Sequence, residues 1–186
     1  GVGLELKNVS PAARVAELSQ GRVDMLATLL TYSKERAEQL DFTGAYIFET
    51  FSFMVVADSG ITSVDELDGK RIGVVSGSFL EPLIPQRLPN ATPVAFENQS
   101  ASFLALQQGK VAGSAMRYSQ AKTIGVNAGA SARPLVALPG PLAIAPSGFG
   151  VRKGEDRLRE KLNEFLVGLE TSGEGQKLFD RWLGAD

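Results

Sequence analysis

The feature that most constrains this chain is a regular alternation. Apolar, β-branched segments take turns with short segments that open on a helix-capping residue and close on glycine. Residues 2–9 alternate apolar and polar, with Leu4 and Leu6 on one face, and are expected as a strand. Ser10-Pro11 opens a helix, since serine caps a helix N-terminus and proline fits its first turn. Val15 and Leu18 carry its apolar stripe, and Gly21 ends it. Residues 23–30 read as a strand, Ser33 caps a short helix, and residues 42–57 are mostly extended.

The same grammar continues. Ser63 with Glu66, and Ser78 with Glu81, have the spacing of capping boxes. Pro82 and Pro85 keep the second of these helices short or irregular. Strands are expected at 71–75, 92–96, 111–116, 134–137 and 142–145, and helices at 101–108 and 119–125. The tail is helical, with Leu158, Leu162, Phe165, Leu166 and Leu169 on one stripe, then Leu178, Phe179 and Trp182 after Gly173. Strands alternating with helices imply an α/β fold with mostly parallel sheets. Ligands of such folds sit beyond the carboxyl ends of strands, near helix N-termini. Two loops qualify, at 28–36 and 75–81.

Composition narrows the chemistry. A net charge of −2, with 19 Lys and Arg scattered along the chain, argues against nucleic acid, which requires a basic surface. There is no cysteine, hence no disulfide or thiolate site, and no histidine, the usual base near neutral pH. Any catalysis falls to Asp, Glu, Lys, Tyr or Ser. No apolar run reaches the length of a membrane span, and the first residues are not those of a signal peptide. A mature or truncated product is the expectation.

In the first loop, a strand is followed by two hydroxyls, Thr28 and Thr31, and a short helix carrying Arg36. Helix N–H groups attract anions, and an arginine fork can donate two parallel hydrogen bonds to a carboxylate. By pattern alone, Ser33 as a plain cap and Arg36 as a solvated charge explain the stretch equally well.

The motif Gly21-Arg22-Val23-Asp24-Met25, then Thr31, Lys34-Glu35-Arg36-Ala37 and Leu40-Asp41-Phe42-Thr43, resembles the signature of the family 3 extracellular solute-binding proteins, the polar amino-acid receptors of bacterial ABC importers. Residues 63–77, 105–111 and 170–183 agree with three further stretches of that family, in its order. The resemblance implies a periplasmic-binding-protein type 2 fold, with two α/β lobes joined by two crossing segments and the ligand held between them. Crossings are expected near 55–58 and 146–151, with lobe 1 at 1–57 and 147–186 and lobe 2 at 58–146. It also implies that a leading strand, helix and ligand-contacting loop of about 50 residues, more than one βαβ unit, are missing, so that lobe 1 is completed by another segment or another chain.

The implied ligand contacts are Thr28, Thr31 and Arg36 from lobe 1 and Gly77, Ser78, Phe79 and Arg117 from lobe 2, with no metal or cofactor. Phe79 and Leu29 stand where the family usually has smaller residues. Arg117, followed by Tyr118, stands where amino-acid receptors have an aspartate that accepts the ligand's α-ammonium. A cation there repels an ammonium, which favours a carboxylate or dicarboxylate ligand, unless the register slips or another segment supplies the contact. The resemblance implies a periplasmic, non-enzymatic receptor that delivers its solute to a membrane permease. The alternatives are a dehydratase of cyclic prephenate-like acids on the same fold, or a ligand-sensing domain. The stretch containing Phe48, Phe51 and Phe53 is read as strand core rather than a ligand stack.

Overall fold

The computed structural model describes residues 2–121 and 133–183. In chain order its elements are α1 (Arg14–Ser19), β1 (Met25–Thr31), α2 (Lys34–Gln39), β2 (Leu40–Phe42), β3 (Ile47–Val56), a 3-10 turn (Asp65–Leu67), β4 (Arg71–Val75), α3 (Leu83–Arg87), β5 (Thr92–Phe96), α4 (Gln99–Gln107), β6 (Gly113–Arg117), β7 (Leu135–Ala137), β8 (Ala143–Arg152), α5 (Asp156–Thr171) and α6 (Glu174–Leu183). They form two compact units. Unit 1 holds residues 1–8, 14–48 and 146–186, and unit 2 holds residues 9–13 and 49–145.

In unit 1, β1 and β2 each pair antiparallel with β8. Leu18, Leu26, Leu30, Leu40 and Val151 are its buried apolar side chains. Gly150 lies beneath them, where an added Cβ would stand 2.6 Å from Leu30 Cδ2 and 3.3 Å from Leu40 Cδ1. Long-range polar contacts pin the loops. Asp41 accepts from Lys153 Nζ and from the Gly154 N–H, both at 2.9 Å. The Thr43 hydroxyl accepts from the Phe149 N–H at 3.0 Å and donates to the Gly44 carbonyl at 2.9 Å. Asn163 of α5 accepts from the Gly44 N–H. Phe165, Val167 and Trp182 on α5 and α6 remain exposed.

Unit 2 has a parallel centre, β5-β4-β6, with β6 and β7 pairing antiparallel to β3. The strand interiors meet in a core that includes Phe51, Phe53, Val55, Ile72, Val74, Ile84 and Ala115. At Gly73 an added Cβ would meet Ser102 Oγ at 2.5 Å, so this crowded crossing takes only glycine without rearrangement. Residues 9–13 belong to this unit, and Ala12 lies against Gly77.

Several expectations are corrected. Residues 2–9 form no strand, and Val2, Leu4 and Leu6 are exposed. An alternating pattern cannot make a strand without a ladder to satisfy its backbone groups. The helix expected at Ser78 begins only at Leu83, after a run of turns, because Pro82 lacks the N–H that a regular helix start there requires. Ser63 does not cap backbone: its hydroxyl donates to Glu66 Oε1 at 3.0 Å, and Val64 is the cap residue of a 3-10 turn. Phe48 is exposed rather than core, while Phe51 and Phe53 are buried. The division between units falls between Phe48 and Glu49, inside the continuous strand β3, where no shift in composition marks it. The second falls between Ala145 and Pro146, inside β8. The helix expected at 119–125 is described only as far as residue 121.

Candidate functional site

In unit 1, Thr31 ends β1 and is 1% exposed. Its hydroxyl accepts from Ser147 Oγ at 3.4 Å, and β1 and β8 hold the two residues as a register pair. Arg36 reaches back from the first turn of α2 and donates from Nη1 to the Thr31 carbonyl at 2.8 Å. One edge of the fork is thus fixed to main chain, which orients the guanidinium. The helix itself contributes less than expected. α2 has six residues, and Ser33 Oγ already accepts from the Arg36 N–H at 3.3 Å. The N-terminus of α2 is therefore partly satisfied by its own cap. Glu35 serves the cap: hydrogen bonds from its own backbone N–H and from the Ser33 hydroxyl hold its carboxyl below the usual range.

Two features of this unit escape a reading by motif. Arg14 of α1 is 6% exposed and points Nη1 at Thr28 Oγ1, 3.5 Å away, so a second guanidinium accompanies the expected hydroxyl. Leu29 has φ +48°, in the left-handed region that bulky side chains avoid. There β1 is irregular: the four-residue step from Leu26 to Leu30 matches a two-residue step from Gly150 to Gly148.

In unit 2, the carboxyl ends of the parallel strands β4 and β6 carry the predicted residues. After β4, Gly77 has φ +68° and donates its N–H to Glu81 Oε2 at 2.8 Å. Glu81 thus satisfies Gly77 instead of closing a capping box with Ser78. The Ser78 hydroxyl oxygen is shielded from solvent without a hydrogen-bond partner. The Phe79 ring lies 5.3 Å from that of Phe51. Phe51 is the register partner of Arg117, whose guanidinium carbon stands 5.5 Å from the Phe51 ring centre. Phe79 is thereby linked to Arg117 through the Phe51 ring.

The residue that the motifs miss is Glu49. It lies two positions before Phe51 on β3, on the same face, and is 3% exposed. Its Oε2 lies 3.3 Å from Arg117 Nε and accepts from Ser119 Oγ at 3.2 Å. Arg117 is therefore not an isolated cation, and the repulsion argued from its charge is offset by a carboxylate in contact with it. The available signal was an acidic residue inside an aromatic strand with buried neighbours. Its partner lies across a register that only the fold reveals. Tyr118, next to Arg117, is 53% exposed. Among the described residues, no group of His, Cys, Asp and Glu is arranged to hold a metal ion, and no helix is long and apolar enough to cross a membrane.

An α/β chain divided into two units by two shared strands, with an arginine–threonine contact in one and a hydroxyl, aromatic and ion-pair cluster in the other, has the architecture of a two-lobed solute-binding protein. The chain belongs to the bacterial extracellular solute-binding proteins, family 3, whose model matches residues 1–185. It is 28% identical over 184 residues to the ABC transporter glutamine-binding protein of Bacillus subtilis (strain 168), covering 98% of this chain and 66% of that protein. A crystal structure of the substrate binding protein of an amino acid ABC transporter matches with a TM-score of 0.90 at 28% identity, over 97% of this chain and 80% of that one. The ancestral amino acid-binding protein AncCDT-1, a precursor of cyclohexadienyl dehydratase, shares the fold with a TM-score of 0.88 at 24% identity, over 98% of this chain and 79% of that one. The chain spans just under two thirds of the Bacillus relative's length.

Proposed function

We propose that this protein is a non-enzymatic receptor of an ABC importer, which binds a small carboxylate-bearing solute, an amino acid or an organic acid, in the periplasm and delivers it to a membrane permease. The observation that carries this reading is the anchoring of Arg36 on the Thr31 carbonyl, beside the Thr31–Ser147 hydroxyl pair. A guanidinium oriented by main chain and flanked by hydroxyls suits a carboxylate, because planar bidentate geometry favours arginine there. The relatives, named for glutamine and for amino acids, support the solute class.

The test is a thermal-shift panel of the common amino acids and of small mono- and dicarboxylic acids. A ligand that binds only the folded state raises Tm by mass action, by about 2.7 kcal/mol of stability at a hundredfold excess over Kd. A rise confined to one or a few carboxylate-bearing solutes is expected. A panel without any shift would sink the receptor reading. The dehydratase reading draws on one specific observation, the buried carboxylate of Glu49, since such an enzyme requires a carboxylic acid in a dry site. Turnover of prephenate or arogenate would favour it over the receptor.

A further inference from the structure

Residues 2–8 have the side-chain pattern of a strand and no ladder. Val2, Leu4 and Leu6 alternate with Gly3, Glu5 and Lys7, and the three apolar side chains are 99%, 81% and 87% exposed. Among the described residues, none makes a backbone hydrogen bond to this segment. Its one polar tie is from Lys7 Nζ to Glu17 Oε2, at 2.6 Å. The segment is fixed at one end, because residues 9–13 pack in unit 2 with Ala12 against Gly77. A tethered segment loses less conformational entropy when it pairs than a free tail does.

Unit 1 also carries an edge that such a strand fits. β1 ends the strand order: β8 pairs with one side of it, and no described strand lies on the other. β1 turns Leu26 and Leu30 into the core and Ala27 to solvent. A strand added beside it must therefore be apolar on one face and polar on the other, since a slip of one residue would reverse the two. Residues 2–8 have that division, with Val2, Leu4 and Leu6 to lie beside Leu26 and with Glu5 and Lys7 to lie beside Ala27. Within its own chain the segment does not pair with β1.

We infer that two copies of this chain associate by exchanging these segments, residues 2–8 of each adding as a strand to the β1 edge of the other. An open edge is a template for any strand of matching pattern, and exchange of an identical element is a low-cost route to a dimer. The chain carries both halves of the interface, so a second copy supplies everything the pairing requires. A twofold exchange uses both edges and both segments, and it closes at two copies. Six valine and leucine side chains at roughly 100 Å² each, with the paired backbones of two strands, reach the roughly 1,000 Å² of a specific interface. The inference needs no ligand and is independent of the receptor reading.

The experiment combines light scattering on a sizing column with hydrogen exchange, on the wild-type chain without ligand over a wide range of concentration. The mass is expected to pass from one copy to two as concentration rises. In the dimer the amides of residues 2–8 and of Met25 to Thr28 should exchange at least about tenfold more slowly than in the monomer. Leu4→Asp/Leu6→Asp places two charges on a face that the single copy leaves in water, so it should stay monomeric with the Tm of the wild-type monomer. A wild-type chain that is monomeric throughout overturns the inference. So does a double variant that still dimerises. A dimer in which residues 2–8 exchange as fast as in the monomer also overturns it, and places the contact on another surface, such as the exposed Phe165 and Trp182 of α5 and α6. If the double variant does not fold, the exchange of the wild-type chain decides alone.

Discussion

Gly77→Ala separates backbone strain from close packing in the loop after β4. Gly77 has φ +68°, and its added Cβ would stand 2.6 Å from Ala12 Cα, 3.0 Å from Ala12 Cβ and 3.0 Å from Ala12 N. Two of those three atoms are backbone, so no rotamer change relieves the clash. Placing an L-residue in the left-handed region costs about 1–2 kcal/mol. Forcing a close-packed contact apart adds about 1–3 kcal/mol. Together they amount to roughly 3 kcal/mol, or a Tm lower by about 6–12 °C for a chain of this size. Gly69→Ala is the control. Its φ is +76° with nothing within 4 Å of the added Cβ, so it reports strain alone. It should lose about 1 kcal/mol, roughly 2–4 °C. Thermal unfolding followed by circular dichroism measures both. Equal losses for the two variants would refute the packing of residues 9–13 against Gly77.

Leu29→Gly should change stability by under about 1 kcal/mol, because relief of the penalty that leucine bears at φ +48° is offset by glycine's larger loss of backbone freedom and by the half-buried side chain removed; chemical denaturation reads the change. A loss well beyond that would mean that Leu29 packing outweighs its strain. Asp41→Asn should flatten the acid limb of the stability curve. Hydrogen bonds from Lys153 and then from the Gly154 N–H hold the Asp41 carboxyl below its usual range. The unfolded chain therefore binds that proton first, so the stabilisation is present above the unfolded pKa of about 3.9 and is lost as pH falls through the lower folded value. Urea titrations from pH 6 down to pH 2 measure it, and an unchanged slope in the variant would contradict the assignment.

The alternation of strand and capped helix is legible in the sequence because it depends on neighbours three or four residues apart. The signature around Asp41-Phe42-Thr43 is visible as a motif, but its purpose is not. Asp41 holds Lys153 and Gly154, and Thr43 holds Phe149, all more than a hundred positions away. The strand expected at 2–9 fails for the converse reason: its pattern is local, but a strand exists only with a partner ladder. Thr31 and Arg36 come together by way of main chain, with Ser147 beside them, rather than through a helix N-terminus. The pairing of Arg117 with Glu49 is not legible in the sequence, because their contact comes from the pairing of β3 with β6 and from no spacing along the chain.

The most direct measurement of the central claim is the affinity of Arg36→Ala and Arg36→Lys for whichever solute the thermal-shift panel selects, by calorimetry. Loss of a charged, oriented donor to a desolvated carboxylate should weaken binding by about 2–5 kcal/mol, at least roughly 30-fold. Lysine should recover only part of it, because it donates as a point charge and not as a fork. Equal affinity for the wild type and both variants would contradict the account, since the carboxylate would then be held elsewhere.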